Sequence, residues 1–426
     1  MTIDYKALDQ EHIWHPFTHH GVWGSEDEPI VVIERAEGNE IIDTEGRRYL
    51  DAISSLWCNT LGHRVDAIDN AIRDQLDKIA HSTLLGLSGT PAIELATRLA
   101  KLCPGDLNRV FFSDAGATAV EIALKIAVQY SRIKHDKPRG KILSLAEAYH
   151  GDTMGSVSLG YSSWFHRHFD HLVFDVGKLP HNIEGAVAMI EEAGDELCAV
   201  IIEPLMQGAA GMITQPPGYL KAVADECQKV GGLFIADEVA TGFWRTGERF
   251  ACNHEDVVPD IMCLAKGLSG GYLPMAATVV TDAVFEPFAQ GLPTGERTFF
   301  HGHTFTGNAL GCAASNAALD ALESIADTGR VADMVSLLTE LLIPLKSHPQ
   351  VNEIRQRGLM VGLEIKHESP TDRIAYTIAQ ESRSRGVMLR PLGTVMVLMP
   401  PFSFSDDELK RTVSTLRESL DHVFAQ

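Results

Sequence analysis

A chain of 426 residues is long enough to form one large core and a smaller second domain. Its content of 45% hydrophobic and 22% charged residues is ordinary for a globular protein. The formal net charge of -21, together with the lack of a basic run, argues against a nucleic-acid partner, because binding to phosphates requires clustered lysine and arginine.

The cysteines and the apolar stretches bear on the cell compartment. The seven cysteines are scattered along the chain, and no pair has the C-x-x-C spacing. This arrangement favours reduced thiols over a disulfide framework or a zinc site. No apolar stretch approaches the length of a membrane span, and the first residues lack the basic start and apolar core of a signal peptide. We therefore expect a cytoplasmic protein without membrane contact.

Strand-like runs alternate with helical patterns through the middle of the chain, at residues 110–112, 141–144, 199–202, 233–236 and 276–280. Short continuous apolar runs are typical of strands that helices cover on both faces. The predicted fold class is therefore α/β with a mostly parallel sheet. Ligands of such sheets bind beyond the carboxyl ends of the strands.

Two helices have clear boundaries in the sequence. One begins near Thr90 with Pro91 in its first turn and ends before Pro104. The last begins after Ser405 with a capping box, and leucine and valine then recur at helical spacing. We predict a large domain over residues 60–330 and a smaller α+β domain formed by residues 1–59 and 331–426.

A turn of small residues follows the run at residues 110–112 and leads into a helical pattern. It contains Ala115, Gly116 and Ala117. Main-chain N–H groups at a helix start attract phosphate, and Gly116 allows a close approach. An ordinary strand-to-helix turn is about as plausible from this pattern alone.

Polar or aromatic residues follow two further strand-like runs. Tyr149, after the strand at 141–144, could stack on a flat cofactor ring, although a capping aromatic in the core is the more common case. Glu203 and Gln207 follow the run at 199–202 and could bond a ring oxygen of a cofactor. An ordinary carboxylate at the start of a loop is at least as plausible.

Asp237 and Lys266 carry the clearest chemical signal. Asp237 comes directly after a buried strand, and a buried carboxylate is costly without a cationic partner. Lys266 follows the next apolar run and precedes a glycine-rich segment, which favours a cofactor-sized gap over a surface lysine. Pyridoxal phosphate needs this pair: a lysine that forms a Schiff base and a carboxylate that keeps the pyridine nitrogen protonated.

The segment from His301 to Asn308 could suggest a metal pair, because two histidines are two residues apart. With no carboxylate or cysteine fixed nearby, we do not expect a metal site here. Thr304 is better explained as a hydroxyl donor to phosphate.

Together these motifs resemble the class III aminotransferases, which depend on pyridoxal phosphate, over essentially the whole chain. The most specific stretch is residues 233–243 with Arg245, Thr246 and Gly247, followed by Lys266. The resemblance implies the fold type I of pyridoxal-phosphate-dependent transferases, with a seven-stranded sheet. It also implies a homodimer with active sites at the interface.

The resemblance also implies roles for individual residues. Lys266 carries the cofactor and moves the proton, Asp237 pairs with the pyridine nitrogen, and Tyr149 stacks on the ring. The implied phosphate and ring contacts are Ala115, Gly116, Ala117, Glu203, Gln207, His303 and Thr304, the last contributed by the partner subunit. Arg390 binds the substrate carboxylate. The implied lining of the substrate channel is Phe17, Leu56, Trp57 and Gly302.

Within the class, several segments are similar to the branch that converts 8-amino-7-oxononanoate to 7,8-diaminononanoate in biotin biosynthesis. They are residues 13–18, 54–57, 148–153, 390–393 and 398–401. The resemblance implies S-adenosylmethionine as the amino donor. Phe17 and Leu56 stand where the best-known members carry tyrosine and tryptophan, which resembles the members that use lysine instead.

Three alternatives remain open from the sequence. One is a general ω-amino-acid aminotransferase that uses pyruvate or 2-oxoglutarate. Another is a non-catalytic protein with the same fold, against which the intact Lys266 and Asp237 argue. The third is a decarboxylase or racemase on this fold, which Arg390 alone does not exclude.

Overall fold

The structure is a computed structural model that describes residues 3–26, 28–292, 295–366 and 373–425. Its α-helices are α1 (Tyr5–His12), α2 (Ser54–Trp57), α3 (Asp66–Leu76), α4 (Thr90–Leu102), α5 (Gly116–Lys134), α6 (Met154–Leu159), α7 (Ser163–His166), α8 (Ile183–Ala193), α9 (Tyr219–Lys229), α10 (Asp282–Ala289), α11 (Ala309–Asp327), α12 (Arg330–Lys346), α13 (Ile374–Ser384) and α14 (Asp406–Ala425).

The strands are β1 (Ile33–Glu37), β2 (Glu40–Asp43), β3 (Arg48–Asp51), β4 (Leu107–Ser113), β5 (Lys141–Leu145), β6 (Gly177–Leu179), β7 (Leu197–Ile202), β8 (Met206–Gln207), β9 (Ile213–Thr214), β10 (Leu233–Asp237), β11 (Ile261–Leu264), β12 (Ala276–Thr281), β13 (Val351–Arg357), β14 (Met360–Ile365), β15 (Val387–Met388), β16 (Arg390–Leu392) and β17 (Val395–Leu398). Short 3-10 helices include Lys266–Ser269.

The central sheet has seven strands in the order β4-β12-β11-β10-β7-β5-β6. The five strands from β11 to β6 pair in parallel, whereas β12 runs antiparallel to both of its neighbours. This confirms the predicted α/β class with a mostly parallel sheet. Asp237 pairs in register with Cys263, and Ala236 with Ile202. The carboxyl ends of β7, β10 and β11 therefore lie at one common edge of the sheet. Glu203, Asp237 and Lys266 are located at or just after these strand ends.

The helices that pack against the sheet explain why its central strands are buried along their whole length. Every residue of β7, β10, β11 and β12 is buried. Helix α5 packs against β11 and β12, and helices α8, α9 and α4 pack against other strands of the sheet. Burial of apolar surface is the main stabilising contribution in such a core, at roughly 25 cal/mol per Å².

Two four-stranded sheets lie outside the central sheet. One has the order β1-β2-β3-β15, and the other has the order β13-β14-β17-β16 with antiparallel pairs. Helices α13 and α14 pack against each other, and α13 packs against β15, β16 and β17. These elements fall in the ranges predicted for the smaller domain, and the division into two domains stays a prediction.

The predicted ends of two helices are confirmed. Helix α4 spans Thr90–Leu102 and has its proline in the first turn. At the start of α14, Ser405 Oγ accepts the Glu408 N–H at 3.3 Å, and Glu408 Oε2 accepts the Ser405 N–H at 2.7 Å. This reciprocal pair is the capping box predicted from the sequence.

Within the described ranges, no helix is both long and apolar enough to cross a membrane. The same residues contain no group of three or more histidine, cysteine or acidic side chains placed to hold a metal ion. All seven cysteines are free thiols, and six of them are buried.

A buried arginine, Arg245, connects segments that lie far apart in sequence. Arg245 is 1% exposed, and its guanidinium donates to the Pro400 carbonyl at 2.6 Å and to Ser54 Oγ at 2.8 Å. The guanidinium also lies over the Phe402 ring at 5.1 Å. Burial lowers the pKa of Arg245 to about 10, so the group stays charged at neutral pH.

We predict that Arg245→Met lowers the free energy of unfolding by about 2–4 kcal/mol, because two buried acceptors lose their donor. Urea denaturation measures this loss. The control is Arg249→Met, since Arg249 is exposed and lies over the Trp244 ring at 5.7 Å. We expect a loss below about 1 kcal/mol for the control. Equal losses of unfolding free energy in the two variants would contradict a stabilising role for the buried hydrogen bonds of Arg245.

Candidate active site

Lys266 occupies a strained position at the sheet edge. Its backbone has φ of +41°, in the left-handed region that non-glycine residues rarely adopt. The side chain is partly buried, and Nζ lies 5.2 Å from the centroid of the Trp57 ring. Burial lowers the pKa of Lys266, and the carboxylates of Asp237 and Glu203 oppose this shift. A lysine with a lowered pKa is closer to the neutral amine that attacks a carbonyl carbon.

Asp237 lies at the end of β10 and is 4% exposed. Its Oδ2 is 2.7 Å from Nδ1 of the buried His150, and its Oδ1 accepts the Val239 N–H at 3.1 Å. The imidazole and the amide hold the carboxylate in one orientation. A fixed, buried carboxylate at this point can pair with a protonated ring nitrogen.

Tyr149 precedes His150 in the loop after β5, so the Asp237 contact also anchors the loop that carries the aromatic ring. The Tyr149 hydroxyl donates to the Asp152 carboxylate at 2.8 Å. Burial and this hydrogen bond raise the pKa of Tyr149. The phenol is therefore neutral at physiological pH, and the residue is partly exposed.

Glu203 and Gln207 both lie at the same edge, and three of their four polar side-chain atoms have protein partners. Glu203 accepts the N–H groups of Tyr149 and Gly208 at 3.1 and 3.0 Å, one on each oxygen. Burial raises the pKa of Glu203 to about 7. Gln207 Nε2 donates to the Ala146 carbonyl at 2.8 Å. Its Oε1 is buried and has no partner among the described residues.

The predicted phosphate turn leads directly into α5. The Ala115 N–H donates to Thr118 Oγ1 at 3.0 Å, so this amide is used within the turn. The next amides, from Gly116 onward, start the helix and lack intrahelical acceptors. A Cβ at Gly116 would lie 2.6 Å from Val239 Cγ1. The start of α5 therefore packs closely against Val239, two residues after Asp237. The turn is thus within the same site as Asp237.

A second glycine allows the loop of Tyr149 to reach the start of α5. Gly151 has φ of +118°, and a Cβ there would lie 2.4 Å from the Ala117 Cβ. A side chain at this position would separate the two segments.

The segment at residues 301–308 lies beside the phosphate turn of its own chain. His303 Nε2 is 3.9 Å from Asp114 Oδ1, and the His303 N–H donates to Thr306 Oγ1 at 3.1 Å. Thr304 and Gly302 are exposed. Thr304 therefore stands at the surface of the single subunit.

The residues predicted to line the substrate channel differ in exposure. Trp57 is 7% exposed, whereas Leu56 is 50% and Phe17 70% exposed. Ser55 and Trp57 have positive φ values of 58° and 67°, so α2 is a strained turn rather than a regular helix. The Asp51 carboxylate stabilises it by accepting the Ser55 N–H. Arg390 is exposed on β16.

The structure thus brings Lys266, Asp237, Tyr149, Glu203 and Trp57 together, while Phe17, Thr304 and Arg390 lie at the surface of the single subunit. These residues fit pyridoxal phosphate. They supply an amine, a carboxylate for a ring nitrogen, an aromatic ring and helix-start amides for a phosphate. Buried polar atoms without a partner in the described chain also occur here, namely Trp57 Nε1, His150 Nε2 and Gln207 Oε1.

Sequence reasoning assigned no role to His150, Asp152 or Arg245, although each lies in a quoted motif. A signal for His150 was available, because a buried Asp237 needs a donor and a histidine beside Tyr149 can supply one. Arg245 gave no such signal, since its partners Ser54 and Pro400 are more than 150 residues away.

The chain is similar to known aminotransferase sequences over nearly its whole length. A family model described as aminotransferase class-III matches residues 23–420. The adenosylmethionine-8-amino-7-oxononanoate aminotransferase of Nitratidesulfovibrio vulgaris is 48% identical, over 98% of this chain and 82% of that protein. The protein of the same name from Geobacter sulfurreducens is 42% identical, over 99% of this chain and 98% of that protein.

Solved structures give the same result. The adenosylmethionine-8-amino-7-oxononanoate aminotransferase of Methanocaldococcus jannaschii has a TM-score of 0.94 and 40% identity, over 98% of each chain. An amine transaminase from an uncultivated Pseudomonas species, in its PLP-bound form, has a TM-score of 0.89 and 32% identity, over 96% of this chain and 98% of that one. The fold, the site and these similarities agree, and the chain belongs to the class III aminotransferases.

Proposed function

We propose that this aminotransferase converts 8-amino-7-oxononanoate to 7,8-diaminononanoate, a step of biotin biosynthesis, with S-adenosylmethionine or lysine as the amino donor. The observation that carries the proposal is the similarity to relatives named for this activity, at 39–48% identity over nearly the full chain in several cases. The reaction is a ping-pong transfer, because donor and acceptor use one site in turn.

Pyridoxal phosphate, the cofactor of class III aminotransferases, supplies the electron sink for the reaction when it is bound. Lys266 Nζ would hold the cofactor, and as a free amine it would carry a proton to and from the substrate carbon. Its lowered pKa supports this role, because the free amine is the proton acceptor. Asp237, held by His150 and Val239, keeps the proton on the ring nitrogen.

The remaining cofactor contacts follow from the positions of the polar and aromatic groups. Tyr149 stacks on the ring, and Gln207 Oε1 is a buried acceptor at the same edge. The free N–H groups at the start of α5, those of Gly116 and Ala117, would hold the phosphate, beside the Ala115 N–H that is bonded within the turn. His303 borders this turn, and Thr304 of each subunit serves the site of its partner.

Three apolar side chains, one glycine and one arginine would recognise the substrate. Trp57, Leu56 and Phe17 line an apolar channel that suits the aliphatic chain of the oxo acid. Gly302 borders the channel where a side chain would narrow it. Arg390 binds the substrate carboxylate with a bidentate guanidinium.

A homodimer is part of the proposal, and the exposed apolar side chains of the single subunit support it. Large apolar side chains stand at the surface of the single subunit, among them Trp14, Leu85 and Phe300 at 90%, 89% and 79% exposure. A cavity of about 1090 Å³ opens between α5 and residues 295–300, with Phe299 and Phe300 in its wall. Apolar surface of this kind favours association with a second copy.

The free thiols support a cytoplasmic location.

A general ω-transaminase is the second candidate. An (S)-enantioselective omega-transaminase from Thermomicrobium roseum has a TM-score of 0.92 and 32% identity over 98% of each chain. Such an enzyme would use simple ω-amines with pyruvate or 2-oxoglutarate. The lower identity favours the first candidate.

A half-reaction separates the two candidates. Cofactor-loaded protein is mixed separately with 7,8-diaminononanoate, S-adenosylmethionine, lysine and simple ω-amines, and the loss of the visible absorption band is followed. We expect 7,8-diaminononanoate to discharge the band, and the faster of S-adenosylmethionine and lysine identifies the donor. Discharge by simple ω-amines only would overturn the biotin-pathway assignment.

A further inference from the structure

Glu203 links two loops through main-chain amides. Its side chain follows β7 and is 5% exposed. Oε1 accepts the Tyr149 N–H at 3.1 Å from the loop after β5, and Oε2 accepts the Gly208 N–H at 3.0 Å from the segment after β8. One buried carboxylate therefore ties together two segments that lie more than fifty residues apart in sequence.

Both segments support aromatic side chains of the site. Tyr149 belongs to the first segment. Gly208 of the second lies against Trp57, because a Cβ at Gly208 would be 3.0 Å from Trp57 Cζ3. The Trp57 ring is in turn 5.2 Å from Lys266 Nζ. The Glu203 carboxylate thus connects the main chain on the Tyr149 side with the main chain behind Trp57.

We propose that Glu203 is a positioning residue that sets the separation between Tyr149 and Trp57 around the Lys266 amine, and that it does so through the two amides rather than by contact with the cofactor. The proposal rests on the proposed function, in which Tyr149 stacks on the cofactor ring and Trp57 faces the substrate. It assigns Glu203 a different role from the direct ring contact expected from the sequence.

A carboxylate suits this task better than an amide side chain. Both donors are N–H groups, so the bridge needs two acceptor atoms, and an ionised carboxylate supplies them. Glutamine has one acceptor, and its NH₂ group would face the second N–H. Burial raises the pKa of Glu203 to about 7, while His150 opposes the rise, so the carboxylate form predominates at pH 8.

The test is Glu203→Gln, studied at pH 8 with pyridoxal phosphate. The readouts are the visible circular dichroism of the bound cofactor and its affinity, obtained by titrating cofactor-free protein. We expect a changed dichroism band and about tenfold weaker binding, because one wall loses its hydrogen bond and shifts. An unchanged band together with wild-type affinity would overturn the proposal.

Glu238→Gln is the matched control. Glu238 is also buried, and its oxygens accept the N–H groups of Cys252 and Ala251 at 2.8 and 3.0 Å, neither of which belongs to the segments of Tyr149 and Gly208. We expect this variant to lose thermal stability but to keep the dichroism band and the cofactor affinity. If both variants change the band equally, general loosening explains the effect and the proposal fails. Neither readout uses an amino substrate, so the test stands even if 7,8-diaminononanoate proves inactive.

Discussion

Replacing Lys266 by methionine is expected to lower the rate of amino transfer by about 10⁴-fold or more, because the variant loses the amine that we propose to bind the cofactor and to carry the proton. Methionine fills a similar volume. Since burial already lowers the pKa of Lys266, its ammonium is poorly solvated, and the variant should fold at least as stably as the wild type. Single-turnover rates and thermal unfolding measure the two effects.

The control for this variant is Lys178→Met. Burial lowers the pKa of Lys178 to about 8, and its Nζ donates to Ser144 Oγ at 3.0 Å and to the Leu159 carbonyl. It lies on β6 and has no role in the proposed reaction. We expect amino transfer within about threefold of wild type once the protein is folded. A rate for Lys266→Met close to that of the control would contradict the assignment of Lys266.

Asp237→Asn is expected to lower amino transfer by about 10³-fold and to weaken cofactor binding, because the ring nitrogen loses its anionic partner. Asparagine retains one oxygen that can accept the Val239 N–H, so the loop after β10 should keep its conformation. Rates and titrations of cofactor-free protein give the two values.

The control is Asp260→Asn, because Asp260 contacts β10 at the end opposite Asp237. Asp260 Oδ2 accepts the Phe234 N–H at 2.8 Å, near the start of β10, and burial raises the pKa of Asp260. This variant should alter stability and leave cofactor affinity unchanged. If Asp237→Asn binds the cofactor as tightly as wild type, the ring-nitrogen role is wrong.

The arrangement of Asp237 and Lys266 could be predicted because it depends on local rules. Each residue follows a short apolar run, and such runs form buried strands whose carboxyl ends share one edge. The structure places the two runs as neighbouring parallel strands, with Asp237 opposite Cys263. The ends of α4 and α14 were predictable for a similar reason, since proline and capping residues act within one turn.

The direction of β12 and the partners of buried polar groups were not predictable in this way. The run at 276–280 is as apolar as a parallel strand, and its antiparallel direction depends on the connection after Lys266. The His150–Asp237 contact joins residues 87 positions apart, and the Arg245–Pro400 contact joins residues 155 apart. Sequence spacing contains no information on such pairs.

The phosphate turn and Glu203 show how tertiary contacts change an interpretation. From the sequence we expect the N–H groups of Ala115, Gly116 and Ala117 to serve a phosphate equally. In the structure the Ala115 N–H donates to Thr118 Oγ1 instead. The sequence likewise places Glu203 near a cofactor, and the structure shows both of its oxygens on main-chain amides. The residue types were informative, but their hydrogen-bond partners required the folded chain.

The most direct test of the site is to locate the cofactor on the chain. Borohydride makes the link between a lysine and an aldehyde cofactor permanent, and peptide mass spectrometry then identifies the modified lysine. We expect one phosphopyridoxyl group per chain, on the peptide that contains Lys266, and none on that peptide in Lys266→Met. Modification at Lys178 or at surface lysines, with Lys266 unmodified, would contradict it.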